Sequence, residues 1–281
     1  MLKQRILTAI ALLAVLLPAI FYPNPIAFAL VATALIAAGV WEWVRLNESS
    51  SDAGLAAALV VACVCVGSWW FGLVEQRLSY VWTFVGSAWV LGGVWLLRGG
   101  ATAWKSVPQG LRVLIGLMAL WAAWLAIVQA RQRGINFMIS AMVLVWVADV
   151  FAYFAGRTLG GKFFTRKLAP TISPGKTWEG ALGGLVGVIA VALVWRWLDV
   201  ETGASDLSVF SQLGQNGALF LVLAVCFLSA MSVVGDLVES LFKRSAGVKD
   251  SSALLPGHGG VLDRLDALLP VLPLIMMLTS L

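Results

Sequence analysis

Residues 214–244, GQNGALFLVLAVCFLSAMSVVGDLVESLFKR, decide the fold. From Ala218 to Val234 the stretch is almost wholly apolar, enough with its flanks for the roughly 20 residues a helix needs to cross a hydrocarbon core. Then its character changes. Asp236, Glu239, Ser240 and Lys243 follow at i, i+3, i+4 and i+7, one face of a helix. Leu237, Val238 and Leu241 take the other sides, and the run ends in Lys243 and Arg244. A solvated, salt-bridged face is the bland account of such a stripe. A buried ion or phosphate site is favoured, because ionisable groups continuing a membrane helix are costly unless paired or functional.

The rest of the chain agrees with a membrane setting. Of 281 residues, 60% are hydrophobic and 12% charged, against about 45–50% and about 25% in ordinary soluble domains. That excludes a water-exposed globule and argues against a nucleic-acid binder, despite the net charge of +5. Apolar runs near 6–22, 25–46, 54–74, 79–97, 110–130, 135–156, 178–197, 214–241 and 261–280 predict an all-α, polytopic integral membrane protein of about nine transmembrane helices. With the N-terminus cytoplasmic and the C-terminus outside, all but four of the 19 Lys and Arg, Lys3 and Arg5 among them, fall on the cytoplasmic side. About five spans occupy 1–134. A C-terminal catalytic region, 135–281, carries two basic cytoplasmic loops, 157–177 and 242–262. Cys63, Cys65 and Cys226 lie in apolar runs and read as packing residues.

Most acidic residues in or beside the apolar runs fall in the second half: Asp149, Glu179, Asp236, Glu239, Asp263 and Asp266. Glu42, flanked by Trp41 and Trp43 and close to Arg45, reads as a structural or interfacial group. In the second loop, Lys249-Asp250 precedes Pro256-Gly257-His258-Gly259-Gly260-Val261-Leu262-Asp263-Arg264-Leu265-Asp266. Its glycines let a ligand approach the backbone. The helix that follows is expected to turn its free N–H groups toward a phosphate. Asp263 and Asp266, at i and i+3, suit Mg²⁺, which binds through one or two carboxylates and phosphate oxygens. His258 is the sole histidine, so a zinc site lacks ligands.

In the first loop, Ser173-Pro174 reads as an N-cap with proline at the first helical position. Lys176 then lies near the helix N-terminus, with Thr177 and Glu179 following; a plain helix start explains this cluster equally well. Asp149, Tyr153 and Gly156 share one helix face. Asp149 either pairs with a cation or lines the same cavity. Together these residues describe a membrane-embedded, metal-dependent enzyme acting on a phosphate-bearing lipid.

The run from Ser240 through Lys243-Arg244, Lys249-Asp250 and Pro256 to Asp266 closely resembles the signature of the phosphatidate cytidylyltransferases, or CDP-diacylglycerol synthases. Ser173 to Gly180 and Asp149 to Gly156 also match the family pattern. The resemblance implies transfer of CMP from CTP to phosphatidic acid, giving CDP-diacylglycerol and pyrophosphate for phospholipid synthesis. It implies a polytopic homodimer; the charge topology opens the site to the cytoplasm, which fits the bacterial inner membrane. It also implies a divalent metal, Mg²⁺, with a monovalent ion such as K⁺ beside it. Asp236 and Asp263 match the metal positions, with Glu239 and Asp266 as further candidates. Lys243, Arg264 and His258 join these two aspartates as catalytic candidates. Ser173, Lys176, Thr177, Glu179, Ser240, Arg244, Lys249, Asp250, Gly259, Gly260 and Asp149 are the candidates for substrate binding. The nearest rivals are a CTP-dependent enzyme using another lipid and, in a different class, a transporter of an anionic substrate.

Overall fold

The computed structural model describes residues 2–47 and 49–280, with the side chains of Leu2, Lys3 and Arg5 outside the described set. The two cations that head the charge asymmetry, Lys3 and Arg5, therefore have no described side-chain placement. All regular elements among the described residues are helices, joined by two loops that each contain one isolated bridge. α1 (Leu2–Phe21), α2 (Ile26–Leu46), α3 (Ser51–Trp70), α4 (Ser79–Ser106) and α5 (Gln109–Arg133) form the first half. α6 (Ile135–Leu159), α7 (Trp178–Glu201), the short α8 (Val209–Gln215), α9 (Ala218–Ser245), α10 (Leu262–Leu265) and α11 (Leu268–Leu278) complete it.

Among the described residues seven helices, α2 to α7 and α9, are long and apolar enough to cross a membrane, and Ile6–Phe21 of α1 is a shorter apolar segment. The last expected span, 261–280, takes another form: a single turn, α10, followed by an eleven-residue α11. At about 1.5 Å per residue α11 is only about 16 Å long. Val271, Leu274, Ile275 and Met276 are buried, so it serves as a core helix inside the bundle. Conversely, Leu91, Val186 and Leu219 on the long helices are 71%, 65% and 73% exposed. Large apolar side chains facing outward along several helices make this an integral membrane protein, since only lipid covers them without cost.

Long-range hydrogen bonds sort the connections into two ends. At one end Thr8 donates to the carbonyl of Pro256, and Gln109 donates to that of Asn47. At the other, Arg131 reaches the carbonyls of Ile20 and Tyr22, Gln129 those of Leu73 and Gln76, and Arg133 the Thr279 hydroxyl. Asp199 belongs to this second end, where it accepts from Asn136, Ser208 and Ser211. Both long loops open at the first end.

Two packing devices shape that end. On α7, added Cβ atoms at Gly180, Gly183, Gly184 and Gly187 would fall 2.2–2.9 Å from Ala152, Ala155, Ala148 and Phe151 of α6. Small residues thus let the two backbones close up, the usual means of packing helices without a hydrophobic drive. In α4, Gly100 takes φ +63° and breaks the helix just beyond the expected span. The break lets Trp104 join Trp43 and Phe242 in an aromatic cluster with centroid separations of 4.3–5.8 Å. This cluster packs under the last turns of α9.

The three cysteines are free; Cys63 is exposed, Cys65 buried and Cys226 half-buried. Cys63→Ser and Cys226→Ser are expected to change melting behaviour little, each within about 0.5 kcal/mol. A loss of turnover in either variant would give that thiol a role beyond packing.

Candidate active site

At about 1.5 Å per residue, the 28 residues of α9 reach about 42 Å, beyond a hydrocarbon core of about 30 Å. Its final turns carry the polar stripe to the first end. There Lys243 Nζ lies 2.6 Å from Glu239 Oε2 and 2.5 Å from Asp263 Oδ1. All three side chains are largely buried, at 12%, 6% and 6% exposure. One turn earlier, Asp236 pairs with Lys176 and accepts from Ser240 Oγ at 3.3 Å. Gly235 makes this possible: a Cβ there would stand 2.5 Å from the Asp266 carbonyl and 2.8 Å from Pro270. The glycine lets the start of α11 press against α9 and brings Asp266 beside Asp236.

The second loop folds around Asp263. Its Oδ2 accepts from Ser251 N (3.0 Å), Ser251 Oγ (3.0 Å) and Gly260 N (2.8 Å). The tight turn Leu255 to Gly259 is closed by a backbone bridge. Gly259, at φ +84°, leaves no room for a side chain, because a Cβ would lie 2.7 Å from Asp263 Oδ2. At Gly260 it would lie 2.0 Å from Ser251 Oγ and 2.5 Å from Glu42 Oε1. The two glycines thus clear space for the protein's own carboxylates.

One expectation is corrected here. The amides at the start of α10 do not stand free for a phosphate. Val261 N and Leu262 N donate to Glu42 Oε1 and Oε2 at 2.9 and 2.8 Å, and α10 is a single turn. Glu42 is a structural group, as its sequence setting indicates, but its partners do not include the nearby Arg45, whose guanidinium lies over the Trp41 ring at 4.4 Å. Glu42 is fully buried and also accepts from the hydroxyls of Ser251 (3.0 Å) and Ser252 (2.5 Å). An acidic residue inside an apolar span was its only sequence signal; the partners lie more than 200 positions away.

The first loop shows the same logic. Glu179, 5% exposed, accepts on one oxygen from the amides of Gly161, Phe163 and Phe164 at 3.0–3.1 Å. Its Oε1 is therefore occupied in shaping the loop after α6. Helix α7 begins at Trp178, capped by Thr177, whose hydroxyl accepts from Gly180 N at 3.1 Å. The expected Ser173-Pro174 cap is replaced, because Ser173 closes a turn against Ala169, its amide donating to the Ala169 carbonyl at 2.9 Å. That turn leaves Lys176 directed at Asp236.

Five carboxylates therefore gather at one end of the bundle. Asp149, on α6, interacts electrostatically with Asp236, Lys176 and Arg264. Asp266 does so with Asp236, Asp149 and Lys243, and Glu239 with Asp266, Lys243 and Asp263. Asp149 forms no ion pair among the described residues, and these interactions place it beside the cluster. Arg264 also donates to the His258 carbonyl at 2.8 Å, bracing the loop, while His258 Nδ1 is buried without a hydrogen-bond partner. Arg244 donates to the Val248 carbonyl, and Arg244, Lys249 and Asp250 are exposed at the rim. Among the described residues no three His, Cys, Asp or Glu side chains form a metal cage by themselves. Two lysines are tied into the acidic cluster, a combination suited to polyphosphate chemistry.

The chain matches the model of the cytidylyltransferase family over residues 3–281. It is 38% identical over 279 residues to a phosphatidate cytidylyltransferase of Pseudomonas aeruginosa, covering 97% of this chain and 95% of the relative. To one of Haemophilus influenzae it is 34% identical over 292 residues, covering 97% and 96%. One of Bacillus subtilis is 40% identical over 150 residues, covering 53% and 51%. By a match that runs almost end to end, this chain belongs to the cytidylyltransferase family and is a membrane-embedded nucleotidyltransferase.

Proposed function

We propose that the chain transfers CMP from CTP to phosphatidic acid, releasing pyrophosphate. The observation that carries the reading is the closure of both loops on α9, through Lys176–Asp236 and Lys243–Asp263. It is joined by full-length relatives named phosphatidate cytidylyltransferase. An oxygen of the lipid phosphate attacks the α-phosphorus of CTP. The bond from that phosphorus to the bridging oxygen breaks, and the electron pair leaves with pyrophosphate. A phosphomonoester is largely dianionic near neutral pH, its second pKa being about 6, so no strong base is required. The task left to the protein is to bring two polyanions together.

The charge count favours a divalent cation. Asp149, Asp236, Glu239, Asp263 and Asp266 outnumber the nearby cations Lys176, Lys243 and Arg264. A nucleotide triphosphate would be repelled from such a cluster. Asp236 and Asp263 are the residues that would hold a Mg²⁺ together with phosphate oxygens, and Lys243, which pairs with Asp263 Oδ1, would have to turn from it toward the phosphates. Bound there, Mg²⁺ would supply charge neutralisation of the phosphates and the leaving group. Glu239 and Asp266 belong to the same cluster, and a monovalent cation beside them is part of the same proposal. Lys176, tethered to Asp236, and Lys243, tethered to Glu239 and Asp263, are held ready as hydrogen-bond donors to the phosphates. Ser240 fixes the Asp236 carboxylate, and the lipid tails stay among outward-facing apolar helices.

We place this end of the bundle on the cytoplasmic side of a bacterial inner membrane, following the Lys and Arg asymmetry, and the working unit as a homodimer. The decisive experiment uses purified protein in mixed micelles with labelled CTP and phosphatidic acid, with and without Mg²⁺. Equal, metal-dependent yields of lipid-linked CMP and pyrophosphate are expected. Conversion of CTP to CDP, or an absence of CTP binding, would overturn the proposal.

A further inference from the structure

We propose that Glu42, on α2, is a positioning residue that fixes the Asp263 carboxylate for the reaction, an inference that rests on the function proposed above. Three consecutive amides are shared between two carboxylates. Gly260 N goes to Asp263 Oδ2, Val261 N to Glu42 Oε1 and Leu262 N to Glu42 Oε2. Such a division sets the peptide planes from which Asp263 is displayed. Ser251 Oγ lies 3.0 Å from both Glu42 Oε2 and Asp263 Oδ2. A hydroxyl carries one proton, so the two carboxylates share one donor and are coupled through it. Ser252 adds a fourth donor to Glu42.

The geometry has a direction. Every donor held by the loop backbone and by Ser251 meets Asp263 at Oδ2, leaving Oδ1 for Lys243. Glu42 holds the next two amides and shares Ser251 with Asp263, and among the described residues it forms no ion pair with Lys243 or Lys176. Gly260 is required at the junction, since a Cβ would strike both Ser251 Oγ and Glu42 Oε1. The first half of the chain thereby contributes a group to a site whose other residues come from Asp149 onward. A fully buried carboxylate with three donors of its own and a share in a fourth is expensive to replace, and partners one step removed from a metal-binding group typically matter by about 10–100-fold.

The test uses Glu42→Gln and Ser252→Ala in the full-length protein in detergent. Turnover is expressed per CTP-binding site, together with hydrogen exchange of residues 251–262. Glutamine keeps the shape of glutamate but offers one carbonyl acceptor instead of two carboxylate oxygens. Glu42→Gln should lower kcat per site at least about tenfold, with KM for CTP and phosphatidic acid little changed. Exchange should rise within 251–262 and stay as in the parent within 160–177. Ser252→Ala, which uncovers no charge, should give the same pattern at smaller amplitude. A lower number of binding sites with unchanged kcat per site would mean a purely structural role and would overturn the proposal. Unchanged exchange in 251–262 in both variants would overturn it as well. The exchange measurement does not depend on the reaction, so a parent protein without cytidylyltransfer would defeat the functional reading separately.

Discussion

Asp263→Asn should reduce turnover by about a hundredfold to a thousandfold, the usual scale for removing one preorganised electrostatic group. The substitution is nearly isosteric. Ser251 N, Ser251 Oγ and Gly260 N can still meet a carbonyl oxygen in the place of Oδ2. The change falls on the other side, where Lys243 now finds an amide in place of an anion. If Asp263 holds Mg²⁺ together with Asp236, raising the metal concentration should recover only part of the rate. The check is a Mg²⁺ titration of cytidylyl transfer beside a thermal melt of the same preparation. Near-normal activity across that titration would remove Asp263 from the reaction, whatever the melt shows.

What the sequence makes legible, and what it hides, follows from the range of the interactions. The polar face of α9 is a local periodicity, and Asp236, Glu239, Ser240 and Lys243 stand where 3.6 residues per turn puts them. The spans likewise follow from runs of apolar residues. The fate of 261–280 is harder to read, because Asp263, Asp266, Pro270 and Pro273 interrupt an apolar stretch whose burial depends on α4, α5 and α9 around it. Glycines 259 and 260 read as room for a ligand, yet the space they leave is filled by Asp263 and Glu42. The distinction depends on a partner from another helix. Glu42 and Glu179 illustrate the same limit. Each is a membrane-helix carboxylate that holds loop amides, and neither local sequence names the loop it will hold. Ser173-Pro174 looks like a cap in isolation, but the bridge between Ala169 and Ser173 ends that possibility before the helix begins.

Lys243→Met should affect both stability and activity, and a second substitution should separate the two. The lysine is the contact cation for Glu239 and Asp263, all three side chains being at most 12% exposed. Removing it leaves two buried carboxylates facing each other. Breaking a buried pair in this way costs about 3–5 kcal/mol, so a clear fall in melting temperature is expected. Turnover should fall by at least about a hundredfold, because the site also loses a donor for the phosphates. Adding Glu239→Gln removes one of the stranded charges, and Lys243→Met/Glu239→Gln should regain much of the lost stability. It should not regain turnover, since a neutral glutamine supplies no positive charge to replace that of Lys243 beside a polyphosphate. Denaturant or thermal melts give the first half of this cycle, and CTP-dependent product formation gives the second. Recovery of both together would make Lys243 a counter-ion alone and leave Lys176, on the facing loop, to meet the nucleotide. Recovery of stability alone would assign Lys243 both tasks, holding Asp263 before substrate arrives and neutralising phosphate once it does.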